Sequence, residues 1–126
     1  MIMPNGNLML FDNGPRNFGG SPNYSRAVEY DIDEEAMTVR QVWQYGKERG
    51  LETYAFIVSD VDFLPKKNNV LFCPGYCNAN NVNIRGGRVI EVDYDTKEVV
   101  FEVFLTGGIL DLQFHRAERL SIYPSI

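Results

Sequence analysis

The sequence lacks the features that define several classes of protein. No apolar run approaches the roughly 18 residues that span a membrane. The net charge is −5 and lysines and arginines do not cluster, so no basic face is available for nucleic acid. With one histidine and two cysteines, the chain offers a poor zinc site. We therefore predict no membrane, no nucleic-acid partner, no metal and no cofactor.

The first residues also lack the basic and apolar segments of a signal peptide. An apolar tripeptide is followed at once by the turn residues Pro4-Asn5-Gly6 and then by a strand-like run. Such a start is typical of the middle of a repeating structure. We therefore expect the chain to be a fragment.

The two cysteines lie close together, in Cys73-Pro74-Gly75-Tyr76-Cys77. This spacing allows a small disulfide loop in an oxidising compartment, and it equally allows two free thiols. The residues alone leave both interpretations open.

Short strands dominate the pattern of this 126-residue chain, which has the composition of one globular domain. Gly, Pro, Asn and Asp separate the apolar or alternating runs, and helical periodicity is almost absent. Residues 33–37 and 47–49 are predicted to be turns. The predicted strands are residues 7–12, 26–31, 37–45, 54–64, 69–73, 88–94, 98–105 and 112–123.

The chain also repeats itself at an interval of about 60 residues. The run ending at Phe11 resembles the run ending at Phe72, 61 positions later. Arg26 and the residues after it resemble those from Arg88, and Val42-Trp43 before Gly46 resembles Val103-Phe104 before Gly107.

Each repeat reads as four short antiparallel strands, which is the pattern of a β-propeller blade. The predicted fold is therefore all-β, with about two blades of a propeller. The first repeat covers residues 1–53, the second residues 54–111, and a closing strand residues 112–126. Because two blades cannot close a ring, we expect further blades or a homo-oligomer. A small β-sandwich or barrel is the alternative.

Several blocks resemble the bacterial arylsulfate sulfotransferases. They are residues 5–14 with the letters FDNG, which are weak on their own, the more specific residues 24–30 with YSRA and 41–50, and residues 114–119, which are similar to a short motif near the family's C-terminus. The resemblance covers nearly the whole chain and only the last part of the family's length. It implies a six-bladed propeller in a periplasmic or exported enzyme. Such an enzyme moves a sulfuryl group from an aryl sulfate ester to a phenol through a sulfated histidine.

The resemblance implies roles for individual residues. Arg26 of the YSRA motif matches an active-site arginine, and Asn13 of FDNG is a candidate to bind a sulfate oxygen. Arginine suits such oxygens because its planar fork of donors matches them. The structural alternatives are a strand-end Arg26 paired with a carboxylate and a turn residue at Asn13.

The remaining candidates are less well matched to the family. His115, the single histidine, is a candidate catalytic residue, although the resembling motif usually has an aromatic residue there. The family's nucleophile is expected near residues 83–88, which contain no histidine. Arg116 and Arg88 repeat the position of Arg26 and are candidate substrate-binding residues.

The resemblance further implies a disulfide between Cys73 and Cys77. The polar loop that holds Tyr76, Asn78, Asn80, Asn81 and Asn83 either rims the substrate channel or is a surface excursion. Two functions follow from the sequence: part of an arylsulfate sulfotransferase, or a non-catalytic binding module or truncated, inactive copy of one.

Overall fold

The computed structural model describes residues 1–14, 23–78 and 84–122. They form two antiparallel sheets that pack face to face, so the prediction of an all-β chain is confirmed. A short 3-10 helix, Lys47–Thr53, joins the sheets. No helix among the described residues is long and apolar enough to cross a membrane.

The first sheet contains three strands in the order β1-β2-β3. They are β1 (Leu8–Asp12), β2 (Arg26–Asp33) and β3 (Thr38–Tyr45). An isolated antiparallel bridge joins Ile2 to Leu8 on the other edge of β1. This bridge occupies the place of a fourth strand in the first sheet.

The second sheet has all four strands of the predicted repeat, in the order β4-β5-β7-β8. They are β4 (Ser59–Leu64), β5 (Asn69–Pro74), β7 (Arg85–Asp93) and β8 (Val99–Leu105), with the short β6 (Cys77–Asn78) beside the start of β7. Within the described ranges the two sheets do not close into a ring, so the six-bladed propeller and the repeat boundaries remain predictions.

The strand pairing shows the repeat more clearly than the sequence does. A β-bulge follows Glu29 in the first sheet and Glu91 in the second, 62 positions later. Opposite these glutamates stand Trp43 and Phe101, which are 58 positions apart. The predicted equivalence of Trp43 with Phe104 is therefore wrong, because the β2–β3 hairpin is four residues longer than the β7–β8 hairpin. The predicted equivalence of Phe11 with Phe72 is wrong by one residue, because Phe72 pairs with Ile90 as Leu10 pairs with Val28.

Three local predictions are also corrected. The predicted strand 54–64 begins only at Ser59, because Val58 has a positive φ of 44° that breaks the extended backbone. Residues 47–49 begin the 3-10 helix, which Gly46 enters with a φ of 115°. Residues 112–122 form no strand: in this segment the backbone bonds Leu112 N–H to Arg85 O and Phe114 N–H to Gly75 O are not followed by a ladder.

The apolar core lies between the two sheets, where facing side chains interdigitate. Phe72 is fully buried; its ring stacks on Phe11 at a centroid distance of 5.1 Å and meets the edge of Tyr45 at 5.5 Å. Trp43 stacks on Tyr94 at 5.3 Å and donates its indole N–H to the Tyr94 carbonyl oxygen at 2.7 Å. This packing fixes one sheet on the other and brings their ends together.

Candidate functional site

A hydrogen-bond cluster joins the two sheets at the end where β1 finishes and β2 and β4 begin. The Ser25 hydroxyl accepts the Ala55 N–H at 2.9 Å and lies 3.0 Å from the Asn13 carbonyl oxygen. The Asn13 amide donates to the Ala55 carbonyl oxygen at 2.5 Å and lies 3.3 Å from the Ser59 hydroxyl. Asn13 and Ser25 therefore hold the chain that leads into β4.

Arg26 lies next to this cluster in a polar cage built from three strands. Its Nε donates to Asp12 at 3.0 Å, and its Nη1 donates to the side-chain oxygens of Gln41 and Gln44 at 3.0 and 2.8 Å. The side chain is only 16% exposed. Arg26 is paired with a carboxylate, as predicted by the structural alternative to an active-site role. Its contacts fix the plane of the guanidinium.

The irregular segment after β8 reaches the same end of the molecule. The Phe114 ring lies directly over Gly87, where a Cβ atom would come within 1.9 Å of the ring. Arg116 follows; it is 67% exposed, its Nε lies 3.9 Å from Asp60, and it also contacts Glu118. Burial raises the pKa of the neighbouring Asp60 carboxyl. His115, between Phe114 and Arg116, is exposed.

Arg88 occupies a different environment from Arg26 and Arg116. Its guanidinium is 8% exposed, donates to Glu102 at 2.8 Å and lies 3.5 Å from Glu52. Arg49 of the 3-10 helix completes the network through Glu52 at 2.8 Å and Glu102 at 2.9 Å. The hydrogen bond from Arg49 lowers the pKa of the Glu52 carboxyl. A substrate-binding role for Arg88 stays a prediction, and the contacts seen here join the helix to the second sheet.

Sequence reasoning missed a second cluster at this end of the sheets. The Arg85 guanidinium lies 5.4 Å from the ring centre of Phe56 and 5.1 Å from that of Tyr76. The Tyr76 hydroxyl donates to Asp111 at 2.9 Å, and Asp111 also accepts the Arg85 N–H at 3.0 Å. These residues are up to 55 positions apart, so no local pattern could have revealed the cluster. Asn80, Asn81 and Asn83 of the predicted polar loop lie outside the described residues.

Cys73 and Cys77 are free, buried thiols, so the structure does not contain the disulfide that the resemblance implies. Their surroundings differ. Cys73 lies near Asp60 and the backbone of Ala117, whereas Cys77 lies near Arg88 and Glu52. Alternation along β5 turns Cys73 away from the inter-sheet face that Phe72 occupies. Among the described residues, no group of three His, Cys, Asp or Glu side chains could hold a metal ion.

The buried thiols predict a loss of stability at alkaline pH. Burial raises the pKa of Cys73 to about 12 and that of Cys77 to about 11, from an ordinary value near 9. The unfolded chain therefore loses thiol protons first, and stability falls as pH rises between the unfolded and folded values. Between pH 9 and 10 we expect a decline of about 1 kcal/mol per pH unit per thiol, measured by urea unfolding, with Cys73→Ala halving the slope in this range. Above pH 10 the raised pKa values of Tyr45 and Tyr94 add to the decline.

The same samples test the state of the cysteines. Without reductant, a thiol-reactive dye should label neither cysteine in the folded chain at pH 8 and both in urea. A chain that binds no dye in urea would contain the disulfide and would contradict the free thiols seen here.

Comparison with known proteins places this chain in a family. Residues 1–115 match the family described as Arylsulfotransferase (ASST). The chain therefore belongs to the arylsulfotransferase family, which confirms the resemblance seen in the sequence.

Two relatives carry the same name, "Arylsulfate sulfotransferase AssT". The protein from Escherichia coli O6:H1 is 40% identical over 108 residues, which are 81% of this chain and 18% of the relative. The protein from Lelliottia amnigena is 38% identical over 125 residues, which are 94% of this chain and 21% of the relative. The chain thus spans about a fifth of the length of the curated relatives it matches.

Proposed function

We propose that this chain is the C-terminal part of an arylsulfate sulfotransferase, which transfers a sulfuryl group from an aryl sulfate ester to a phenol. The observation that carries the proposal is the family match over residues 1–115, together with about 40% identity to proteins of that name. We further propose that the whole enzyme is a periplasmic propeller. Each of the two sheets described here would contribute a blade to it.

Sulfuryl transfer requires fixed positive charge around an anionic group. Sulfuryl transfer resembles phosphoryl transfer, in which positioning and electrostatic stabilisation of the equatorial oxygens lower the barrier. The cage of Asp12, Gln41 and Gln44 uses Nε and Nη1 and fixes the plane of the guanidinium, which supports Arg26 in this role with Nη2 as the donor to a sulfate oxygen. Arg116, exposed at the same end, is proposed as a second sulfate contact.

The geometry supports different roles for the other candidates. The amide of Asn13 donates to the Ala55 carbonyl oxygen, which favours holding the segment before β4 over binding sulfate. His115 is exposed in an irregular segment, and residues 83–88 contain no histidine. We therefore propose that the sulfated histidine of the whole enzyme belongs to another part of the protein.

These last observations also favour the second function, a non-catalytic binding module or inactive copy. The two functions differ in what the chain can do inside a complete enzyme. A working segment should replace its counterpart in an active relative, whereas an inactive copy should not.

A chimera tests the proposal. The segment of the Lelliottia amnigena relative that aligns with this chain is replaced by residues 1–126, and 4-nitrophenol release from 4-nitrophenyl sulfate is measured with phenol as acceptor. We expect the chimera to remain active. Arg26→Gln in the chimera should lower kcat/KM by about 100-fold, the usual effect of removing one donor to a developing anion.

Arg40→Gln is the matched control, because Arg40 in the adjacent strand pairs with Asp31 at 2.8 Å but is 76% exposed. It should leave kcat/KM unchanged, and equal melting temperatures of the two variants would separate catalysis from folding. A folded but inactive chimera would contradict the transferase proposal and favour the inactive copy. An active chimera insensitive to Arg26→Gln would contradict only the role of Arg26.

A further inference from the structure

Arg85 differs from the other arginines of the described chain in having no carboxylate partner. Each of the others has a carboxylate oxygen within 4.0 Å of its guanidinium. All 17 acidic side chains lie within the described residues, and none of them comes this close to the guanidinium of Arg85. The positive charge of Arg85 is therefore not neutralised by a direct ion pair with an acidic side chain.

The backbone around Arg85 is fixed on both sides without help from the guanidinium. Its N–H donates to the Asp111 carboxylate at 3.0 Å, and its carbonyl oxygen accepts the Leu112 N–H at 3.0 Å. The next residue, Gly86, lies so close to the Leu105 carbonyl oxygen that a Cβ atom would come within 2.1 Å of it. These contacts set the position of Arg85 at the start of β7, so its charged group is not needed to hold the strand.

The guanidinium of Arg85 lies beside two aromatic rings. Its centre is 5.4 Å from the ring centre of Phe56 and 5.1 Å from that of Tyr76, and the two rings meet at an interplanar angle of 68°. The bond from the Tyr76 hydroxyl to Asp111 raises the pKa of Tyr76, so the hydroxyl stays protonated as a donor. A guanidinium that lies against aromatic rings keeps N–H donors at its edge for an oxyanion.

The frame common to the two sheets does not require this cluster. In the ungapped match between β2 and β7, the equivalent of Arg85 is Asn23, 62 positions earlier. Phe56, which is 45% exposed, precedes β4 at the end of the strands and does not lie on a sheet face. Further blades of the proposed propeller would pack on the outer faces of the two sheets, so they would leave these strand ends uncovered.

We propose that Arg85, Phe56 and Tyr76 form a binding site for the aryl sulfate ester. The Arg85 guanidinium donates to two oxygens of the sulfate, and the exposed ring of Phe56 packs against the aryl group. Tyr76 positions the guanidinium through its ring, which Asp111 holds by the hydroxyl. An aryl sulfate combines a flat ring with an anionic group, so it offers a partner to both the ring and the cation. The identity of this ligand rests on the proposed function.

Direct binding to the purified chain tests the site. 4-Nitrophenyl sulfate and methyl sulfate are titrated separately, and binding is followed by NMR line broadening of each ester. We expect the aryl ester to bind about 5-fold more tightly, the usual gain from one contact between aromatic rings. Arg85→Gln should weaken the binding of 4-nitrophenyl sulfate about 10-fold, since a charged donor to the sulfate is lost. Phe56→Leu should bring the affinities of the two esters together, because leucine is apolar but has no ring.

Arg40→Gln is the matched control, because Arg40 pairs with Asp31 and is 76% exposed. It lies near the β2–β3 turn, at the opposite end of the sheet from Arg85, and its replacement should leave both affinities unchanged. Fluorescence of Trp43, stacked on Tyr94, reports that each variant is folded. Arg85→Met serves in place of Arg85→Gln if that variant does not fold, because methionine keeps an unbranched apolar stem.

A folded wild-type chain that binds neither ester would overturn the proposal. So would equal binding of 4-nitrophenyl sulfate by the Arg85→Gln and Arg40→Gln variants. An aryl ester that binds no more tightly than methyl sulfate, or whose preference survives in Phe56→Leu, would also overturn it. Because binding needs no turnover, this result is separate from that of the chimera. An inactive chimera together with binding that depends on Arg85 would contradict the transferase proposal and support the site.

Discussion

Replacing Phe72 with alanine is expected to lower the free energy of unfolding by about 3–5 kcal/mol, the usual cost of truncating a buried aromatic residue. Phe72 is fully buried between the sheets and contacts the rings of both Phe11 and Tyr45. Truncation removes these contacts and leaves a cavity. The two sheets cannot move together to fill it, because each is held in place by its paired strands. Urea unfolding followed by Trp43 fluorescence measures the change.

Phe56→Ala is the matched control for this prediction. Phe56 is also a phenylalanine, but it is 45% exposed and lies at the end of the sheets. It should lose no more than about 1.5 kcal/mol, since half of its surface stays in water in the folded state. Both variants are compared at one protein concentration because association would add to the stability. Equal losses would mean that the core does not lie between the sheets.

Replacing Glu29 with alanine should cost roughly 1–3 kcal/mol, because three hydrogen-bond donors lose their buried acceptor. The fully buried carboxylate accepts from Asn5 at 3.0 Å, from Asn7 at 2.5 Å and from Tyr94 at 2.7 Å. These three groups come from both sheets, so the loss also loosens the contact between them. Thermal and urea unfolding measure the effect.

The double variant Glu29→Ala, Tyr94→Phe separates the hydrogen bonds from simple truncation. If the stranded Tyr94 hydroxyl carries part of the cost, the double variant should be more stable than Glu29→Ala alone by about 1 kcal/mol. Glu98→Ala, in the exposed turn before β8, should change stability by less than about 0.5 kcal/mol. A Glu29→Ala variant as stable as Glu98→Ala would refute the inter-sheet role.

The equivalence of Glu29 and Glu91 shows where sequence comparison succeeds and where it fails. The run from Arg26 and the run from Arg88 align without gaps, so the middle strands of the two repeats were found. The first strands were matched one residue out of register, since Leu10 and not Phe11 corresponds to Phe72. The third strands were misaligned because the two hairpins differ in length. Only pairing across the sheet shows that Trp43 and Phe101 stand opposite the same glutamate.

The sequence by itself determined the all-β class, the repeat and the family, because these depend on local alternation, turn residues and matched blocks of sequence. The sequence predicted a carboxylate partner for Arg26 only as the alternative to a role in the active site. The family resemblance implied a disulfide that the structure does not contain. The tertiary structure decided which partners each charged group meets and which face each cysteine points to. It also decided that residues 112–122 form no strand. Contacts of this kind join residues far apart in the chain, so they follow from how the sheets pack and not from the order of neighbouring residues.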